Sequence, residues 1–66
     1  MDIAKKKVLV TAEIYQKFYK DRPLYKRIYL DAKIEYYQAM EELKIMFTSV
    51  LEFENWMIEN IGDDFF

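Results

Sequence analysis

From Tyr25 to Met57 the apolar residues fall at Tyr25, Tyr29, Ala32, Tyr36, Ala39, Leu43, Met46, Val50, Phe53 and Met57, with gaps of four and three alternating without a fault. A strand would repeat every two residues. This mean spacing of about 3.5 is that of a helix laid along another helix. Ile28, Leu30, Ile34, Tyr37, Met40, Phe47 and Leu51 lie beside the stripe, so the segment is apolar on more than one side and needs more than one neighbour. The chain holds one glycine and one proline, too few turn residues for a strand-rich fold. The expected class is therefore all-α.

The spacing leaves the continuity of this segment open. Pro23 belongs in a first helical turn, with Asp21 as the residue capping it, and a single helix over 23–61 satisfies the stripe. Against that, Ser49 followed three residues later by Glu52 has the form of a capping box, which breaks the helix near 48–49. Gly62, the only glycine, is the expected stop. Ahead of the long segment, residues 12–20 read as a short helix with Thr11 as its cap. Residues 1–10, rich in lysine and then Val8, Leu9 and Val10, read as a basic extended arm or short strand.

A chain of 66 residues is one domain, and at this size about 60% of the unfolded surface is buried. Yet 53% of the residues are hydrophobic and 18% aromatic, and no cysteine is present to staple the fold. Burial against another chain is the simplest way to use so much apolar surface. The expectation is an antiparallel helical homodimer whose seam is Tyr29, Tyr36, Leu43, Met46, Val50, Phe53 and Met57. Charge sets the orientation. Residues 1–33 hold nine basic and four acidic side chains, a net of +5; residues 34–66 hold Lys44 against eight acids, a net of −7. An antiparallel pair sets Lys26, Arg27 and Lys33 opposite Glu52, Glu54 and Glu59, whereas a parallel pair stacks like charges.

Catalysis has little to work with. Histidine and cysteine are both absent, which removes the usual general base and the commonest metal ligands. Glu41 and Glu42 are adjacent and diverge on a helix, and no glycine-rich phosphate loop exists. The chain is expected to be a non-enzyme with no cofactor and no metal. No apolar run reaches the roughly 18 residues of a membrane span, so a cytoplasmic protein without membrane contact is expected.

Two surfaces remain as binding candidates. Lys5, Lys6, Lys7, Lys17, Lys20 and Arg22 interleave with Tyr15 and Tyr19, a mixture of cations and rings that suits nucleic acid. The tail Asp63, Asp64, Phe65 and Phe66 offers two rings behind two carboxylates, suited to a basic-rimmed apolar pocket on a protein partner.

Both surfaces carry a resemblance. "VLVTAEIYQKF" (residues 8–18) resembles the opening of ribbon-helix-helix regulators. That likeness implies Val8 and Val10 in the core of a ribbon, Lys7 and Leu9 facing DNA, and Glu13, Ile14, Tyr15 and Phe18 on the following helix. Ala32 and Tyr36 would then stand on the second helix. The tail is similar to the C-terminal tips of bacterial single-stranded-DNA-binding proteins at Asp63, Asp64 and Phe66, with Phe65 where a proline usually stands. The function expected overall is a small interaction module, an inhibitor, adaptor or regulator of the accessory type carried by viruses and mobile elements. It would act through aromatic helix faces and the tail. The alternative is a ribbon-helix-helix-like DNA-binding regulator using residues 5–11.

Overall fold

Lysine, alanine, leucine and glutamate are good helix formers, and they supply seven of the fourteen residues 2–15, set among β-branched residues such as Val8 and Val10. In the computed structural model, which describes residues 2–62, this segment is one helix, α1 (Asp2–Tyr19). The extended arm over 1–10 is thus corrected: the described part of it is helical, and the helix expected at 12–20 begins ten residues earlier. The reason is a second stripe. Ala4, Val8, Thr11 and Tyr15 repeat at four, three and four, and Val8, Thr11 and Tyr15 are buried, with Ala4 packed at their edge. Tertiary burial at helical spacing outweighs the strand preference of Val8 and Val10. Thr11 is the one buried polar side chain among the described residues. Its hydroxyl donates to the carbonyls of Lys7 (2.8 Å) and Val8 (3.1 Å), so burying it leaves nothing unpaired.

Residues 20–25 reverse the chain. The Asp21 carbonyl accepts from the N–H of both Leu24 (3.1 Å) and Tyr25 (3.0 Å), closing a single turn. Tyr25 then leaves helical geometry (φ −110°, ψ 36°), and α2 (Lys26–Lys44) starts after it with no side-chain cap. Asp21 therefore shapes the turn rather than capping a helix at Pro23. The second helix runs back along α1, and Ala32, Tyr36, Ala39 and Leu43 are its buried face. Alanines on both helices (Ala4, Ala12, Ala32, Ala39) let the backbones approach around the larger Val8, Tyr15 and Tyr36.

At Lys44 the chain turns a corner. Tighter bonds from Met46 N–H to Leu43 O (2.9 Å) and from Phe47 N–H to Lys44 O (3.3 Å) end α2. Ser49 is extended (φ −144°, ψ 156°), and its hydroxyl oxygen accepts from the Glu52 N–H at 3.2 Å, opening α3 (Val50–Asn60). The break expected near 48–49 is present, and a single helix over 23–61 is not. Only half of the capping box forms, because the Glu52 carboxylate takes the Thr48 hydroxyl. Phe53 and Met57 carry α3 onto the core beside Leu43 and Val8. At the far end Ile61 and Gly62 both donate to the Met57 carbonyl (2.8 and 3.2 Å), with Gly62 at φ +102°, where a side chain is disfavoured. The described chain is all-helical and elongated, 39 × 19 × 15 Å, with three helices and no strand among the described residues.

Candidate interaction surface

The residues expected to form an oligomer seam do not lie together on one open face. Tyr36, Leu43, Phe53 and Met57 are buried inside the single chain, and Tyr29 packs at the edge of the same core. The helix that covers the α2 part of the stripe is α1, from the same molecule. Met46 and Val50, which fall in the corner, are exposed. A stripe broken by a corner cannot present its members to one straight neighbour, so the seam is spent within the monomer.

The aromatic side chains also turn largely inward. Tyr15 lies against Tyr36 (5.4 Å between ring centroids), Tyr29 (5.6 Å) and Tyr19 (5.9 Å), and Phe18 meets Tyr25 at 5.1 Å. The contacts of Tyr15 with Tyr36 and Tyr29 tie α1 to α2, and that of Phe18 with Tyr25 ties it to the turn before α2. Burial lifts the Tyr36 hydroxyl to about 12, with the neighbouring Tyr37 adding to it. Burial raises Tyr15 further, helped by Tyr29. Tyr15, expected as a ring for nucleic acid, is thus a core residue, and Tyr37 is the more open of the α2 rings.

The six basic candidates do not line one strip. Successive residues on a helix point about 100° apart, so Lys5, Lys6 and Lys7 diverge. Lys5 reaches over the rings of Phe47 and Trp56, 5.8 Å from each centroid. Lys7 pairs with Glu42 at 3.2 Å. Lys17 leans over Phe18 at 5.8 Å. Arg22 stacks on Tyr19 at 4.0 Å and donates to its carbonyl, while Lys6 and Lys20 are exposed. The ribbon needed for the ribbon-helix-helix likeness is not formed, because residues 5–11 sit inside α1. Asp63, Asp64, Phe65 and Phe66 lie outside the described residues.

What the fold leaves outside is aliphatic. At the α2–α3 corner Ile45 is 81% exposed and Leu51 66%, with Met46 and Val50 between them also open. On the outer side of α2, Leu30, Ile34 and Tyr37 are exposed. On α1 a shallow groove is lined by Ile3, Lys6, Lys7, Val10 and Thr11. Of these side chains, the spacing placed Leu30, Ile34, Tyr37 and Leu51 beside the main stripe and Met46 and Val50 on it, while Ile45 belonged to neither set. The spacing carried no signal that the stripe itself would be used up internally.

Among the described residues no group of three or more acidic side chains could hold a metal ion. No helix there is long and apolar enough to cross a membrane. Comparison with protein-family models, curated proteins and solved structures finds no match to this chain.

Proposed function

We propose that the chain is a small non-enzymatic interaction module that docks on another protein through its α2–α3 corner. The observation that carries this is the corner itself: Ile45, Met46, Val50 and Leu51 are all exposed within seven residues, in a chain short of core. Each Å² of apolar surface left in water forgoes about 25 cal/mol of stabilisation, which favours a partner that covers it. Exposure here follows from geometry. The tight turn after Leu43 directs these side chains away from the α1–α2 interface, while Ser49 fixes where α3 begins. The acidic and aromatic residues 63–66 are a second candidate contact for the same or another partner. They match a basic-rimmed apolar pocket in chemistry.

The test is capture from the native host lysate, with immobilised wild type beside the Ile45→Asp/Leu51→Asp double variant, at low and high salt. A partner protein retained at both salt concentrations by wild type, and lost by the variant, supports the reading. Material that is nucleic acid, and that washes off steeply as salt rises, would count against it. So would equal capture by the double variant. Deleting residues 63–66 in parallel separates the tail's share from that of the corner.

A further inference from the structure

We propose that a second copy of this chain packs antiparallel against the outer face of α2, with Ile34 on the two-fold axis. Leu30, Ile34 and Tyr37 are spaced by four and three, so they share one side of the helix. Leu30 and Ile34 lie away from Ala32, Tyr36, Ala39 and Leu43, which are buried in the hairpin with α1, while the ring of Tyr37 also reaches back edge-on to Tyr15 at 6.4 Å. Ile34, at the centre of the outer stripe, is 55% exposed, and Leu30 and Tyr37 are open on either side of it.

Arg27 stands seven residues before Ile34 and Glu41 seven residues after it, so both fall on the same face, two turns away in each direction. Both are exposed, and neither makes an ion pair among the described residues. Along the helix the face therefore carries a cation, three apolar side chains and an anion, with the exposed Asp31 and Gln38 along its other edge. Such a surface is complementary to itself when one copy is reversed. Ile34 meets Ile34 of the second copy, each Leu30 approaches the other's Tyr37, and each Arg27 meets the other's Glu41. A two-fold interface requires this reciprocity. A parallel pair would instead set Arg27 on Arg27 and Glu41 on Glu41.

The helix ends point the same way. Anions favour a helix N-terminus and cations a C-terminus. In α2 the first turn holds Lys26 and Arg27 with no acid, and Glu41 and Glu42 stand near the C-terminal end, where Lys44 is the one cation of the last turn. Lys26, Arg27, Glu41 and Glu42 sit at the unfavourable ends of their own helix, and an antiparallel neighbour offsets both pairs. Inside the chain α1 already does this once: Lys7, from its N-terminal half, pairs with Glu42. The outer face leaves Arg27 and Glu41 for a second antiparallel helix to pair in the same manner. The inference rests on the interaction-module reading only in treating open apolar faces as binding surfaces, and it uses a different face from the corner.

Sedimentation of the purified chain decides it without any lysate, so its failure is distinct from failure of the corner. Wild type is expected to form a dimer at micromolar concentration, since one helix pair is at the small end of stable interfaces. Arg27→Glu and Glu41→Arg should each weaken the dimer by about ten-fold or more, because either change creates two like-charge contacts per pair. Mixed one to one, the two variants should dimerise again, because every contact between them is then opposite in sign. Circular dichroism should show unchanged helicity in all of them, as both positions are exposed. A monomeric wild type would overturn the proposal. It would also fail if the single variants dimerise like wild type, if the mixture stays monomeric, or if Arg27→Glu pairs best with wild type, the signature of a parallel arrangement.

Discussion

The α1–α2 interface and the α2–α3 corner are built from similar side chains and end in opposite states. In the hairpin, two stripes of matching period face each other along most of their length. Alanines bring the backbones close, and Tyr15 and Tyr36 fill what remains. At the corner the chain changes direction within five residues, and α3 meets the rest mainly through Phe53 and Met57. Leu43 has no exposed surface, while Ile45, two residues later, has almost nothing over it. Hydrophobicity decides that a residue is worth burying. The direction of the backbone decides whether there is anything to bury it against.

Charging one residue from each region separates the two most directly. Leu43→Asp places an unpaired carboxylate in the core at a cost of several kcal/mol. That matches the whole stability expected of a small domain, about 5 kcal/mol or somewhat more. The variant should be unfolded at 25 °C by circular dichroism. Leu51→Asp, at the corner, should move the stability by no more than about 0.5 kcal/mol. Equal losses at the two sites would mean that the corner is as well covered as the hairpin.

Phe53→Ala comes next, because that ring is the larger of the two anchors of α3. A loss of about 3 kcal/mol is expected in a urea titration. A loss under 1 kcal/mol would mean that α3 rests on the hairpin without being held by it.

Alkaline pH probes the hairpin from inside. Tyr36 titrates near 12 when folded and near 10 when unfolded. Its neutral form is what the fold holds, so the contribution is intact below pH 10 and is lost as pH rises through 12. Two pH units correspond to about 3 kcal/mol for this one group. Stability should be level up to pH 9 and then fall, and Tyr36→Phe should lessen the fall, with Tyr15 supplying the rest. A profile identical in the variant would remove Tyr36 from the account.

The smallest effect belongs to the cap. Ser49→Ala removes the acceptor for the Glu52 N–H and should cost about 1 kcal/mol, read from the melting temperature. Loss of the cap should act on the corner alone. Hydrogen exchange should quicken in α3 and stay unchanged in α1 and α2.

The all-helical class and most of the buried set were legible in the spacing. Ala32, Tyr36, Ala39, Leu43, Phe53 and Met57 all lie on the stripe, and all are buried. The identity of the covering element was not legible, because periodicity shows that a face is covered and not by which chain. Continuity was not legible from the stripe either: gaps of four and three pass unbroken through residues 45–49, where the helix does not. There the local chemistry of Ser49 decided the matter. At residues 5–10 the balance was reversed, for valine and leucine in a row favour a strand locally. The spacing of Ala4, Val8, Thr11 and Tyr15 was present in the sequence as the signal for a helix. For the candidate site, the spacing identified Tyr37, Leu30 and Ile34 as lying beside the stripe, but their exposure depends on where α1 settles.

Trp56 is the sole tryptophan of the chain, and it is half-buried where α3, Phe47 of the corner and Lys5 of α1 converge. The hairpin itself holds tyrosines and no tryptophan. Fluorescence excited at the indole therefore reports one event, the seating of α3, whereas far-ultraviolet dichroism sums over all three helices. If the last helix lifts away before the hairpin melts, the indole emission will shift to the red at a denaturant concentration where the ellipticity has hardly changed. Coincident curves would show that helix and hairpin fold as one cooperative unit. One residue thus makes the least secured joint of the molecule directly visible, with no label attached.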